Sequence, residues 1–127
     1  MRWGGEEFLV FAPDIAPERL LQLAERILFG IGGEPVSSSD GPLRVTVSIG
    51  CAHFPLQPSG LPQHWEQAVN WADMALYTAK ARGRNRAAGI VVVKAGDRQD
   101  LQQIEADFDA ACSSERVQLQ QVLGPAA

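Results

Sequence analysis

This 127-residue chain contains few cysteines, no long apolar run and no excess of positive charge. Its two cysteines, Cys51 and Cys112, lack the spacing of a metal-binding or redox pair, which predicts free thiols in a reducing compartment. No apolar stretch approaches the roughly 20 residues that cross a bilayer, and the N-terminus has no basic segment followed by an apolar one. We therefore predict a cytoplasmic globular domain without a membrane span.

Positive charge is concentrated in one short segment. The chain has 11 Lys and Arg residues against 15 Asp and Glu residues, which argues against binding to a nucleic acid polymer. Lys80, Arg82, Arg84 and Arg86 nevertheless fall within seven residues, and such a cluster suits a small anionic ligand. Spacing alone leaves a second interpretation open, a solvated helix end, because the helix dipole favours cations near a C-terminus.

Hydrophobic periodicity predicts alternating strands and helices. The predicted elements are a hairpin over residues 2–11 with a Gly4-Gly5 turn, helices over 17–31, 63–82 and 101–111, and strands over 43–52 and 90–93. Trp65 is expected in the core, and the position of Trp71 is left open. This order predicts an α+β domain with helices packed on a mixed sheet. Residues 1–95 are expected to form the C-terminal part of a domain, and residues 96–127 a C-terminal helical extension or tail.

Two adjacent carboxylates, Glu6 and Glu7, follow the glycine pair Gly4-Gly5. Mg²⁺ takes oxygen ligands, commonly one or two carboxylates together with substrate phosphates, and glycines leave room for a nucleotide. Neighbouring strand residues face opposite sides, so both glutamates reach one metal only if the turn twists the first of them. On its own, this pattern is more often only a hairpin.

A second group of candidate residues lies at the end of the second long helix. Lys80 precedes the predicted stop at Gly83, and Arg84 and Asn85 follow it. Two cations and an amide at one helix end suit a phosphate group.

Three segments in order resemble one family, the GGDEF domains, which are the diguanylate cyclases of bacterial signalling. They are RWGGEEF at residues 2–8, VTVSIGCA at 45–52 and ADMALYTAKARGRN at 72–85. The first is similar to the family's GGEEF form, the second to its strand ending in SIG, and the third to its ADxALYxAKxxGRN helix. The resemblance covers residues 2–86.

The resemblance implies an incomplete ferredoxin-like fold of the palm type found in nucleotide cyclases. It also implies a transferase that condenses two GTP molecules into cyclic di-GMP and releases pyrophosphate. By position, Gly4-Gly5 would line the nucleotide, Glu6 would bind Mg²⁺ or Mn²⁺ and act as base toward the 3′-hydroxyl, and Glu7 would support the metal site. Lys80 and Arg84 would bind the triphosphate. A homodimer would hold one GTP in each subunit.

The family's segment before the glycine turn, with its further metal-binding aspartate, has no counterpart in this sequence. We therefore expect weak or no turnover from this truncated chain, and either poor folding or strand exchange with a second copy. Two other interpretations stay open. One is a catalytically inactive GGDEF remnant that acts as a nucleotide-binding or dimerisation module, and the other is an interaction domain whose glycine hairpin is only structural.

Overall fold

A computed structural model describes residues 2–4, 7–10, 12–13, 15–54, 65–94 and 98–125. The elements in chain order are β1 (Arg2–Gly4), β2 (Glu7–Phe8), α1 (Pro17–Gly32), β3 (Val36–Ser38), β4 (Gly41–Leu43), β5 (Ile49–Cys51), α2 (Trp65–Ala81), β6 (Arg86–Val93), α3 (Arg98–Ala106), α4 (Phe108–Ser113) and β7 (Val117–Leu123). The predicted α+β class is confirmed. No helix in the described part of the chain has the length and apolar character that crossing a bilayer requires.

Three strands form the central sheet in the order β5-β6-β7. β5 runs parallel to β6, with Ile49 opposite Ala87, and β7 runs antiparallel to β6, with Val117 opposite Val93. The sheet is therefore mixed, as predicted, and β6 is its middle strand. Among the described strands, the pairs β1-β2 and β3-β4 form two separate sheets.

Helices cover both faces of the central sheet. Successive residues of β6 point to opposite faces. On one face Ala87 lies in a cluster with Ala24 of α1. On the other face Ala88 lies in a cluster with Ala75 and Ala79 of α2. The sheet is thus the middle layer of three, and small side chains allow both helices to lie close against it.

Local signals define the ends of α1. Pro17 occupies the first turn, where its fixed φ suits a helix and its missing amide hydrogen costs nothing. After the last turn, the amide of Gly33 donates to the carbonyl of Phe29 at 2.9 Å. The helix predicted over residues 17–31 is confirmed to within one residue.

A larger hydrophobic cluster joins α2 to the C-terminal elements. Trp71 of α2 is fully buried together with Ile104 of α3, and Phe108 of α4 packs beside them. The indole Nε1 of Trp71 donates to Glu105 Oε1 at 2.6 Å, and its ring meets Phe108 edge-on with centroids 6.2 Å apart. These contacts make α3 and α4 part of the hydrophobic core.

The prediction that Trp65 lies in the core is wrong. Trp65 is 47% exposed, whereas Trp71, whose position the sequence left open, has no exposed surface. The buried residues of α2 are Ala68, Trp71, Ala75, Thr78 and Ala79. The close approach of α2 to the sheet selects small side chains, so the larger Val69 and Leu76 are not the centre of the buried face.

The strand predicted over residues 43–52 is divided in two. β4 ends at Leu43 and β5 begins at Ile49, with no regular element between them. β4 pairs with β3 in a hairpin of its own, whereas β5 pairs with β6, so the chain changes partners between them. The sequence also predicts no strand after residue 93, yet β7 pairs with β6 along most of its length.

The two cysteines, both free thiols, provide a test of the packing. Burial raises the pKa of the Cys51 thiol to about 11, whereas Cys112 is only half-buried. Because the thiolate is the reactive form, we expect one thiol per folded chain to react with an aromatic disulfide reagent near neutral pH. Both should react in denaturant. Rapid labelling of folded Cys112→Ser protein, in which only Cys51 remains, would contradict this packing.

Candidate functional site

The end of α2 carries the cationic candidate residues, and Gly83 sets its geometry. Gly83 has a φ of 128°, which other residues rarely adopt, and its amide donates to the carbonyl of Lys80 at 3.3 Å. The amide of Arg84 donates to the carbonyl of Ala79 at 3.0 Å. These two bonds form a Schellman motif, which ends the helix. Lys80 in the last turn and Arg84 just beyond the stop therefore lie at the same helix end.

The four clustered cations have different roles. Lys80 is half-buried and Arg84 is exposed. The guanidinium of Arg86 is used within the fold, because its Nε donates to the carbonyl of Arg84 at 2.9 Å. Arg82 lines a cleft of about 430 Å³ between α2 and α4, beside Asp109. Lys80 and Arg84 are therefore the members of the cluster that suit a phosphate group at the turn.

Electrostatics make these two cations necessary for any anion bound here. The last carbonyls of a helix carry partial negative charge, so the dipole of α2 opposes a phosphate at this end. Side-chain cations must supply the attraction, and Arg offers a fork of donors that matches phosphate oxygens.

The acidic candidates belong to the β1-β2 hairpin. The two strands are antiparallel, with Gly4 paired to Glu7 and Arg2 paired to Phe8. A hairpin is confirmed, but it is shorter than the predicted range of residues 2–11, because β2 ends at Phe8. The prediction that Gly4 is a turn residue is wrong, because Gly4 is the last residue of β1. Gly5 and Glu6 lie outside the described residues.

Strand pairing does not join the acidic and cationic groups. The structure places Lys80 with Arg84 at one helix end and pairs Gly4 with Glu7, but the hairpin and the three-stranded sheet are separate among the described strands. β5 pairs only with β6 in the described part of the chain, so among the described strands its other edge is open.

Comparison with known families confirms the family relationship that these motifs indicate. Residues 1–86 match the sequence model described as "Diguanylate cyclase, GGDEF domain". The chain belongs to the GGDEF family. The match ends at the first residue of β6, so most of β6 and all of α3, α4 and β7 lie beyond the matched GGDEF segment.

Curated relatives are 36–40% identical to this chain over 86–90 aligned residues. "Uncharacterized protein YhcK" of Bacillus subtilis is 40% identical over 89 residues, which are 67% of this chain and 23% of that protein. "Response regulator PleD" of Caulobacter vibrioides is 40% identical over 90 residues, 69% of this chain and 19% of that protein. "Diguanylate cyclase DosC" of Escherichia coli is 36% identical over 86 residues, 67% of this chain and 18% of that protein. The chain thus spans about a fifth of the length of these relatives. No solved structure matches it.

GGDEF diguanylate cyclases use Mg²⁺, and the residues present fit that ion in kind. Mg²⁺ prefers oxygen ligands, which the adjacent carboxylates of Glu6 and Glu7 supply. Within the described ranges no group of three His, Cys, Asp or Glu side chains is placed to hold a metal ion.

Two features of the cationic end were missed from the sequence. Asn85 contacts Gly124 and Pro125, and Arg86 reaches β7 through Gln121 Oε1 at 3.4 Å. The apolar residues Val117 and Leu119 alternate with glutamines, which is a strand signal. That alternation could have indicated a strand here, although not its pairing with β6.

Proposed function

We propose that this chain is the GTP-binding part of a diguanylate cyclase, which condenses two GTP molecules into cyclic di-GMP and releases pyrophosphate. The observation that carries the proposal is the end of α2, where Gly83 stops the helix between Lys80 and the exposed Arg84. This cationic end and the GGEEF hairpin both fall within the family-matched residues 1–86. Several relatives bear the name diguanylate cyclase, which supports the same activity.

Each candidate residue has a role suited to its chemistry. Lys80 and Arg84 bind and orient the triphosphate, and the glycines Gly4 and Gly5 leave room for the nucleotide. Glu6 accepts the proton of the 3′-hydroxyl, and Glu7 supports the metal ligands. Mg²⁺ or Mn²⁺ held by these carboxylates would neutralise charge on the phosphates, which is the main requirement of phosphoryl-group transfer.

The product sets the number of subunits. Cyclic di-GMP contains two nucleotides, each of which must attack the other, so two chains with one GTP each suit the reaction. We propose a homodimer in the cytoplasm, where GTP is available. The open edge of β5 offers a place where a second copy can add a strand.

A second function is favoured by the separation of the two groups of candidate residues. Because no described strand joins the hairpin to the three-stranded sheet, the acidic and cationic groups are not fixed to one another through a common sheet. A chain of this kind binds GTP through Lys80 and Arg84 without turnover. It would then act as a nucleotide-binding or dimerisation module.

The test is to incubate the chain with GTP and Mg²⁺, to measure GTP affinity by calorimetry, and to measure cyclic di-GMP by chromatography. Arg84→Ala should weaken GTP binding about tenfold or more, because a hydrogen bond to a charged group contributes roughly 1.5–3 kcal/mol. Arg26→Ala, which removes an exposed cation from α1, is the matched control and should leave affinity unchanged.

The outcomes separate the two functions. Cyclic di-GMP that forms from GTP and disappears in Glu6→Gln protein supports the cyclase. GTP binding that depends on Arg84 but gives no product supports the binding module. Equal GTP affinity in the wild-type and Arg84→Ala proteins would contradict both.

A further inference from the structure

Asn85 joins the turn after α2 to the end of β7. Its side-chain Nδ2 donates to the carbonyl of Pro125 at 2.7 Å, and its own carbonyl accepts the amide of Gly124 at 2.9 Å. Pro125 lies 40 residues further along the chain, beyond the family-matched residues 1–86. The turn that carries Arg84 is therefore fixed from outside the matched segment.

The contact between Asn85 and Gly124 leaves no space for a larger residue. A Cβ on Gly124 would overlap the side-chain Oδ1 of Asn85 and approach its carbonyl oxygen. On the other side, the ring of Pro125 lies 3.0 Å from the position of a Cβ on Gly32, the last residue of α1. Residues 124–125 are thus held between the α2 turn and the end of α1.

The backbone of the turn needs such support. Arg84 has a φ of 62° and Asn85 a φ of 48°, both in the left-handed region. This conformation is unfavourable for an ordinary L-residue, because its Cβ comes too close to the following carbonyl oxygen. Asn tolerates it better than Arg, because its short side chain forms local hydrogen bonds. Arg84 therefore keeps its conformation through its own backbone hydrogen bonds to Ala79 and Arg86 and through those of the neighbouring Asn85.

A second connection from β7 acts on the same turn. The guanidinium of Arg86 donates from Nε to the carbonyl of Arg84 at 2.9 Å and from Nη1 to Gln121 at 3.4 Å. The same guanidinium lies 2.8 Å from the position of a Cβ on Gly83. β7 thus supports the turn in two places. It contacts Asn85 directly, and through Gln121 it holds Arg86, which donates to the carbonyl of Arg84.

We propose that Asn85 and Gly124 are positioning residues for triphosphate binding. They hold Arg84 in its left-handed conformation, so that its guanidinium and the ammonium of Lys80 act on one phosphate group. The inference rests on the proposed function and extends the nucleotide site to β7, a strand outside the family-matched segment. Loss of the contact frees Arg84 to adopt commoner conformations, which separates its charge from that of Lys80.

The experiment measures the affinity of the 127-residue chain for inorganic pyrophosphate and for GTP, each with Mg²⁺, by calorimetry. Asn85→Gly removes the side-chain anchor but keeps a positive φ accessible, and Gly124→Ala separates the same two segments from the other side. Each should weaken pyrophosphate binding about tenfold, equivalent to one charge-assisted hydrogen bond. The control Gln118→Ala, at an exposed position of β7, should bind as the wild type does.

A double-mutant cycle distinguishes positioning from a general structural role. If Asn85 acts through Arg84, then Asn85→Gly has no further effect on affinity in an Arg84→Ala background. If Asn85 only stabilises the fold, folded Asn85→Gly protein binds pyrophosphate as the wild type does, and if Asn85 acts on binding independently of Arg84, the two losses add. Circular dichroism verifies that each variant is folded, and hydrogen exchange of the Arg84 amide should become faster in both Asn85→Gly and Gly124→Ala without nucleotide.

Each result has a defined meaning. Wild-type pyrophosphate affinity in folded Asn85→Gly and Gly124→Ala proteins would overturn the inference, as would additive losses in the cycle. A wild-type chain that binds neither GTP nor pyrophosphate would overturn the proposed function. In that case, faster hydrogen exchange of the Arg84 amide in the two variants still supports the claim that Asn85 and Gly124 hold the turn. Unchanged exchange overturns that claim as well.

Discussion

Trp71→Ala should lower the free energy of unfolding by about 3–5 kcal/mol, the range observed when a large aromatic side chain is removed from a packed core. Trp71 has no exposed surface and lies at the junction of α2, α3 and α4. Its removal leaves a cavity beside Phe108 and also removes the indole donor of the 2.6 Å hydrogen bond to Glu105. The loss therefore combines packing with one hydrogen bond, while Gln67 Nε2 still donates to Glu105 Oε1 at 3.2 Å.

The matched control is the other tryptophan of the same helix. Trp65 is 47% exposed, and we expect Trp65→Ala to change stability by about 1 kcal/mol or less, as is usual at the surface. Urea unfolding followed by circular dichroism measures both variants. Similar losses for the two substitutions would show that the buried face of α2 is assigned incorrectly.

The two tryptophans also show where sequence analysis reaches its limit. Helical spacing correctly predicts that α2 exists, because that signal is contained within the helix itself. Which face is buried depends on the partner, and here the partner is a strand containing Ala87, Ala88 and Gly89. Ala75 and Ala79 of α2 cluster with Ala88 of this strand, whereas Trp71 is buried against α3 and α4, so the partners decide which residues of α2 are buried.

Strand partners are similarly hidden from local pattern. Residues 43–52 form one continuous alternating run in the sequence, but its two ends pair with different strands, β3 and β6. A local signal specifies an extended chain and does not specify its neighbour. The hairpin β1-β2 is predicted correctly because its two strands are adjacent in sequence, although Gly4 belongs to the strand and not to the turn.

The candidate site likewise contains one part that the sequence identifies and one part that it does not. Lys80 and Arg84 could be identified from the sequence because Gly83 marks the helix end between them. The contact of Asn85 with Pro125 could not be identified from the sequence, because it joins positions 40 residues apart. The resemblance to the GGDEF family implies a phosphate-binding role for the two cations, and the structure adds the left-handed turn conformation of Arg84.

Gly50→Ala should be strongly destabilising, although it adds only one methyl group. Gly50 belongs to the SIG segment, on β5, and a Cβ there would overlap the backbone of α2 at Ala72 and Leu76. A helix backbone cannot yield as a side-chain end can, so α2 must move away from the sheet. Overpacking of this kind typically costs about 1–3 kcal/mol, and occasionally more.

The same substitution elsewhere should have the opposite sign, which isolates the cause. Gly30 lies within α1 with nothing near the position of its Cβ, so Gly30→Ala should stabilise the protein by up to about 1 kcal/mol through helix propensity. Urea midpoints compare the two variants, and a loss of stability in both would contradict this account. Because Lys80 is one turn beyond Leu76, displacement of α2 should also weaken GTP binding in Gly50→Ala protein that remains folded. The glycine of the SIG segment therefore connects the packing of α2 on β5 to the position of the cationic end.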